Sequence, residues 1–500
     1  MSIVAIFNSH TLWPVHYETE LEIIQNHLNA GDAVYQIVCN GTINSCDLNL
    51  SNEPLECLRC IEKRKKGITL LNSPANGPGK LHVLEYHELT VQDKRIISAT
   101  RFEYGSMDEL KGLSVENFDI GLAVLSSIMS SLRDSSLDFS LYKETIDRHL
   151  QNALMVFYAT KRIIDTYDIS KFYVFNGRFA YPRAVFRACQ QKSIECWFHE
   201  VGGTIYKYDI FKNRLPHNIS YIQELIEYFW EHGEQNERQR LGRLWFEERI
   251  KAIPQNYMSF VAGQELTRLP ESWNTLSHNV VIFNSSEDEM ASIGAEWKNP
   301  LYKNQLDGIQ SVVGDLALFP HIRVYLRMHP NLQGVNDDYV KSLREIKADN
   351  FELIEADSPV STYQLIKRAD KIVTFGSSTG IEAAYLSRVS ILLGASYYKG
   401  KSCVYEPASH EEAIKMLADV NLEPIISDFP LKYGYYFKNR GIDFTFYKPT
   451  RIHDGTFGGV NLNSFRSLKF KIMSNRTVNR IARKAMGNSY RSFILRLART

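Results

Sequence analysis

The stretch RADKIVTFGSSTGIEAAYLSRVSILLGASYYKG, residues 368–400, constrains the fold more than any other segment. Its pattern predicts a buried strand over Lys371–Thr374, a small-residue loop over Phe375–Thr379, a helix over Gly380–Leu386 and a second buried strand over Val389–Leu393. Strand, helix and strand in that order imply a parallel sheet covered by helices. The loop has a further consequence. Gly376, Ser377, Ser378 and Thr379 bring backbone N–H and hydroxyl groups to a strand end that leads into a helix N-terminus, which suits an anion.

The same grammar recurs along the chain. Strand Ile3–Phe7, helix Tyr17–Asn29 (Leu21, Ile24 and Leu28 on one face) and strand Ala33–Cys39 form one unit. After a less regular stretch come helix Glu144–Thr166, strand Lys171–Phe175, helix Tyr181–Gln190 and strand Glu195–His199. Residues 220–270 are charged and helical in pattern and read as a domain-bridging region, with the polar segment Pro270–His278 as linker. Beyond it the pattern predicts strands Val280–Phe283, Ile322–Arg327 and Phe351–Ile354. Helices are expected at Gln305–Phe319, Asp337–Ala348, Thr362–Arg368 and Glu411–Ala418. A 500-residue chain exceeds one ordinary core. The expected fold is α/β, with two Rossmann-like domains facing across a cleft. An N-terminal α/β domain with a helical region spans 1–270, a C-terminal nucleotide-binding α/β domain 279–425, and a tail with a basic amphipathic segment 426–500.

Composition excludes little. Apolar residues make up 44%, charged residues 23%, and the net charge is +1, all ordinary for a globular protein. No apolar run approaches the ~20 residues of a membrane span. The N-terminal MSIVAIFNSH enters a strand without the basic start of a signal peptide, so the expected location is cytoplasmic. Cys39, Cys46, Cys57 and Cys60 include a C-x2-C pair that zinc or an iron–sulfur cluster would suit, but the spacing is irregular. Reduced thiols without metal are expected. From Arg466 to Thr500 there are ten Lys/Arg and no Asp/Glu. Val478, Ile481, Ala482, Ala485 and Met486 form one helical stripe, and Phe493, Ile494 and Leu497 another. That segment reads either as an anchor to an anionic membrane surface, on the inner face of the cell membrane, or as a helix packed on the body. No motif points to nucleic acid.

Candidate ligand groups cluster at expected strand ends. Arg327-Met328-His329-Pro330 closes one strand, so Arg327 and His329 join Ser377, Ser378 and Thr379 as groups for a nucleotide phosphate. Glu382, one turn into the helix, is placed to bind a ribose. Ser285 and Ser286 follow Val280–Phe283 and either meet a donor phosphate or cap a helix, Ser286 with Glu289. In the first half, Asn8–Glu18, Asn176-Gly177-Arg178 and His199–Thr204 follow three strands. Trp13 and Tyr17 offer stacking faces there. The candidates for a general base there are Glu200 first, then His16 and Glu18. No Walker loop, dinucleotide-binding glycine motif or Asp-x-Asp pair appears, which favours a metal-independent reaction.

Taken in order, Arg327–His329, Thr374–Glu382 and ILLGASYYKGKSCVYEPASHEEAIKML resemble the C-terminal domain of bacterial capsule polysaccharide biosynthesis proteins, which include Kdo-transferring capsule enzymes. The resemblance covers residues 320–420. The wider layout is similar to GT-B glycosyltransferases, hydrolysing nucleotide-sugar epimerases and polyol-phosphate polymerases. It implies a GT-B fold and a nucleotide-sugar donor as substrate, with no further cofactor. Ser377, Ser378 and Thr379 would meet donor phosphate, Glu382 the nucleoside, and His329 with Arg327 phosphate or sugar. The expected activity is glycosyl transfer to a glycan or lipid-linked acceptor in capsule or lipopolysaccharide synthesis. The rival expectations are a nucleotide-sugar epimerase, a polyol-phosphate transferase and an inactive scaffold.

Overall fold

Short runs of β-branched and aromatic residues make the strands, and most are buried on both faces, as parallel sheets require. The computed structural model describes residues 2–72, 79–86, 89–135, 137–335 and 337–499. It divides into two units. Unit 1 comprises Met1–Leu132, Leu137–Pro216 and Gly441–Thr500, and unit 2 comprises Arg133–Ser136 and His217–Arg440.

Unit 1 is built on β1 (Ile3–Asn8), β2 (Ala33–Val38), β3 (Lys80–Glu85), β4 (Lys171–Phe175), β5 (Glu195–Val201) and β6 (Lys207–Lys212). Their order in the sheet is β6-β5-β4-β1-β2-β3. The first five strands run parallel, and β6 is antiparallel to β5. Val4, Ala5 and Ile6 are wholly buried, which explains their unbroken apolar run. The stretch read as irregular holds the helix Pro54–Ile68 and the edge strand β3. β3 is mostly exposed, so its sequence lacks the apolar signal of the central strands.

Unit 2 carries β7 (His278–Phe283), β8 (Ile322–Arg327), β9 (Phe351–Ile354), β10 (Lys371–Thr374) and β11 (Val389–Leu392). All pair in parallel, in the order β11-β10-β7-β8-β9. Read from its own first strand this is 3-2-1-4-5, the Rossmann order, and β1 to β5 of unit 1 follow it too. Each sheet therefore has a point where the strand order reverses, between β1 and β4 and between β7 and β10.

The helical region of 220–270 belongs to unit 2 and is not a bridge, and the division falls at 216/217 rather than at 270–279. The reason is packing. Helices Ile219–His232 and Gln235–Ile250 lie against a third, Phe429–Asn439. A Cβ on Gly434 would come 2.4 Å from the Gly242 carbonyl oxygen, so only glycine permits that approach. Pro270–His278, expected as a linker, underlies β8: the Trp273 ring stacks 4.9 Å from Tyr325, whose hydroxyl donates to the Ser272 carbonyl.

The expected tail, 426–500, is split. Its first part holds Phe429–Asn439 of unit 2, and Gly441 onward returns to unit 1. There β12 (Ile442–Asp443) adds antiparallel to β6, and β13 (Tyr447–Arg451) pairs with β14 (Asp454–Phe457). The Glu22 carboxylate accepts the N–H groups of Thr445, Phe446 and Tyr447 and pins this return. Helices Leu468–Met473, Arg476–Met486 and Tyr490–Arg499 follow. The last packs on Pro54–Ile68 with Ile494 and Ala498 fully buried. Among the described residues no helix is long and apolar enough to cross a membrane.

Candidate functional site

A cavity of about 340 Å³ opens at the carboxyl ends of β7, β8 and β10, where the strand order of unit 2 reverses. Ligands of open α/β sheets bind at such points. Its walls include Asn284, Ser285 and Ser286 after β7, Met328 to Asn331 after β8, and Gly376 to Thr379 after β10. Gly376 turns the chain off β10 at φ +129°, and a Cβ there would lie 2.7 Å from the Ala395 carbonyl oxygen. The loop beyond it is internally bonded. Ser377 and Thr379 hydroxyls meet at 2.9 Å, and the Tyr398 hydroxyl donates to the Ser377 carbonyl.

Glu382 lines the cavity, where it is 4% exposed and engaged by protein groups. Arg249 donates from Nε at 3.0 Å and from Nη2 at 2.7 Å, Tyr363 donates its hydroxyl at 2.5 Å, and Ser378 donates at 3.0 Å. Arg249 also reaches the Ser378 hydroxyl at 2.9 Å, so one guanidinium ties the loop to the helix behind it. Burial works against the charge on Arg249, yet the Glu382 carboxylate outweighs it and the pKa lies above the usual arginine value. Arg249 and the wall segment Gln255–Val261 lie, in sequence, in a charged helix and on the approach to Pro270–His278. No local signal marks them, because they meet Glu382 and Ser378 only in the folded chain.

Arg327 also borders the cavity, but its two terminal nitrogens donate to the carbonyls of Glu355 and Ser358. It is 2% exposed, and burial lowers its pKa to about 10. It fastens the loop after β9 rather than presenting a free cation. His329 is held differently. Its backbone N–H donates to Asn284 Oδ1 at 2.7 Å, and its Nδ1 accepts from the Asn331 N–H at 3.1 Å. Burial, reinforced by the Arg327 charge, lowers its pKa to about 4, so the ring is neutral at pH 7. With Nδ1 accepting, the proton sits on Nε2, which makes His329 a hydrogen-bond donor and not a cation. The ring of Phe260 packs edge-on, 5.1 Å away.

Ser285 is held by Gln305, whose Oε1 accepts from both its N–H and its hydroxyl. Ser286 precedes the helix Glu287–Met290 without capping it through its side chain, and its hydroxyl meets Asn331 Nδ2 at 3.4 Å. The Glu289 side chain lies outside the described residues.

The reversal point of unit 1 gathers Asn8, the loop to His16, Asn176 and β5. Here polar groups face one another. Asn8 Nδ2 donates to Glu20 at 2.5 Å, and Arg64 Nε donates to Asn8 Oδ1 at 2.7 Å. Burial pushes the Glu20 carboxyl well above the usual range. Burial likewise lowers His10 to about 4 and His199 to about 3. Of the three expected bases, Glu18 forms a buried pair with Lys63 at 3.1 Å. His16 begins its helix 3.8 Å from the Phe175 ring, and burial holds its pKa well below the ordinary value. Glu200 is half-buried on β5 and accepts from Asn176 Nδ2 at 2.5 Å. Trp13 packs among His16, Phe175 and Phe179. Tyr17, expected as a stacking face, is instead 1% exposed, with its hydroxyl donating to the Arg64 carbonyl, because it faces the helix Pro54–Ile68. Arg178, in the loop after β4, is buried over the Phe179 ring.

Cys39, Cys46, Cys57 and Cys60 border one small apolar cavity of about 30 Å³. Burial raises the thiols of Cys39, Cys46 and Cys57. Among the described residues no three His, Cys, Asp or Glu side chains are placed to hold a metal ion.

The strand orders define an α/β protein of two Rossmann-like units with parallel cores, the composition expected of a GT-B layout. No protein-family model and no curated protein matches the chain. Among solved structures, KpsC of Thermosulfurimonas dismutans, a β-Kdo 2,4 transferase, aligns with 54% of this chain and 79% of its own at 14% identity and a TM-score of 0.36. The UDP-GlcNAc 2-epimerase of Methanocaldococcus jannaschii, in complex with UDP-GlcNAc and UDP, aligns with 86% of this chain and 97% of its own at 11% identity and a TM-score of 0.28. The kitacinnamycin glycotransferase covers 88% and 96% at 11% identity and a TM-score of 0.26. These likenesses are of layout and assign no residue a role.

Proposed function

We propose that the protein is a GT-B-like glycosyltransferase of bacterial surface polysaccharide synthesis. It takes a nucleotide-activated sugar in unit 2 and transfers the sugar to a glycan or lipid-linked acceptor. The observation that carries this reading is the cavity at the reversal point of unit 2, with hydroxyl, amide and imidazole donors from three strand ends. Ser377, Ser378, Thr379 and neighbouring N–H groups suit phosphate oxygens, and His329 supplies a neutral Nε2–H donor beside them. Glu382 is a carboxylate within reach of ribose hydroxyls once its contacts with Tyr363 and Arg249 rearrange. In the transfer, the acceptor hydroxyl oxygen bonds to the anomeric carbon and the bond from that carbon to the leaving phosphate oxygen breaks. The hydroxyl proton passes to a base, and of the three candidates we favour Glu200, which is half-buried on β5. Glu18 already has a buried partner, and the lowered pKa of His16 makes it a weak base.

The test is a melting-temperature screen against CMP, UDP, GDP, CDP and dTDP, followed by calorimetry with the strongest binder. At least one nucleotide is expected to stabilise the protein. His329→Ala should weaken its affinity by roughly tenfold, the size of one lost hydrogen bond in a desolvated site. A chain that no nucleotide stabilises is not of this class. Turnover of a nucleotide sugar without acceptor would mark an epimerase instead.

A further inference from the structure

The three C-terminal helices divide the two readings of the basic segment between them. Tyr490–Arg499 is packed on the body. The helix Arg476–Met486 is not absorbed in that way. At about 100° per residue, Asn479, Ala482 and Met486 fall on one side of it, and the latter two pack with Phe493 and Leu497 in the core beside Pro54–Ile68. Val478, Ile481 and Ala485 form a separate stripe about a quarter-turn away. Ile481 is 64% exposed and Val478 37%. Arg476, Arg480 and Lys484 continue round from that stripe to the side away from the core. The preceding helix, Leu468–Met473, repeats the pattern: Met473 is buried while Leu468 and Ile472 are 73% and 50% exposed.

The cations of the segment also divide. Lys469 pairs with Glu62, Arg483 with Glu53, and Arg491 and Arg499 donate to the carbonyls of Asn52 and Asn40. Lys471, Arg476, Arg480 and Lys484 are exposed and, among the described residues, have no hydrogen-bond or ion-pair partner for their side chains. Uncompensated cations beside exposed aliphatic side chains, with no acid from Arg466 to Thr500, match one kind of surface. An anionic bilayer offers phosphate groups to the cations and an acyl boundary to the aliphatic side chains. A nucleic acid would use the charge and leave the aliphatic stripe in water.

We propose that Leu468–Met473 and Arg476–Met486 form a membrane-docking face that seats Leu468, Ile472, Val478 and Ile481 in the interface of an anionic bilayer. The proposal stands apart from the reaction assigned to the protein. Its test is co-sedimentation of the full chain with phosphatidylcholine vesicles and with vesicles of phosphatidylcholine and phosphatidylglycerol. Binding is expected to the anionic vesicles alone and to weaken with added salt. Arg476→Glu/Arg480→Glu/Lys484→Glu and, separately, Val478→Asp/Ile481→Asp should each weaken it by at least about tenfold. Both variants change exposed residues, so melting temperature and any nucleotide-induced shift should stay as in the parent. Absence of vesicle binding, equal binding to neutral vesicles, or full binding by either variant would overturn the proposal. So would binding to RNA or to an acidic polypeptide without binding to vesicles.

Discussion

Both units place polar side chains where their strand order reverses, yet they use them in opposite ways. In unit 2 the groups line an open cavity. In unit 1, Asn8, Glu20 and Arg64 are nearly or wholly buried and bond to one another. The same topology thus yields an open cavity in one sheet and a buried polar network in the other. Polar residues at strand ends are therefore a weak sign of a site by themselves. Open volume beside such groups is the stronger one.

The contrast is tested most severely at Lys63. Lys63→Met leaves Glu18 as an unpaired buried carboxylate and should cost about 3–5 kcal/mol of stability in denaturant unfolding. Glu18→Leu/Lys63→Met should recover most of it. If the single variant is neutral, the pair is not structural and Glu18 returns as a candidate base. The matching change in unit 2 is Gly376→Val, which forces a side chain onto φ +129° and against the Ala395 carbonyl. It should cost about 1–3 kcal/mol and abolish nucleotide-induced stabilisation, because the strained turn shapes the loop. Arg249→Gln leaves the nearly buried Glu382 carboxylate without its cation and should cost about 1–3 kcal/mol of stability. It should also weaken nucleotide affinity roughly tenfold, since Ser378 loses the group that ties it to the helix. Unchanged affinity would remove Arg249 from the site.

The smallest effect at neutral pH is expected at His199 and emerges on acidification. An unfolded imidazole binds its proton near pH 6.5, whereas folded His199 stays neutral down to about 3. The unfolded state therefore holds more protons in that window, and stability falls as pH falls through it. Asp47 opposes this, because burial raises its folded pKa to about 6 and its contribution weakens as pH rises toward that value. His199→Gln should flatten the acid side of the melting-temperature profile. A profile identical to the parent's would show that the ring is not buried neutral.

Much of the fold was legible in the sequence. β4, β8, β9 and β10 lie at the expected residues, because short β-branched runs between turn residues have few alternatives. Pro54–Ile68 and β3 were not legible, since one mixes charges through its length and the other is an exposed edge. The helix Phe429–Asn439 was hidden by Pro430 and by an aromatic run without polar contrast. At the unit 2 cavity, the Gly376–Thr379 loop and Glu382 carry a signal in spacing and composition. The partners that hold them do not, because Arg249 is 133 residues from Glu382 in the chain.

The sequence by itself determined the two runs of alternating strand and helix, the glycine-led loop after β10 and the uneven charge of the last 35 residues. These are properties of neighbours along the chain, where apolar period and turn chemistry act directly. Only the tertiary structure decided that Arg327 fastens a loop while His329 remains a neutral donor. It also decided that Glu18 is paired while Glu200 stays half-exposed, and that one C-terminal helix is packed while another keeps a bare apolar stripe. Burial and partner choice set those outcomes, and both depend on which distant segments the fold brings together.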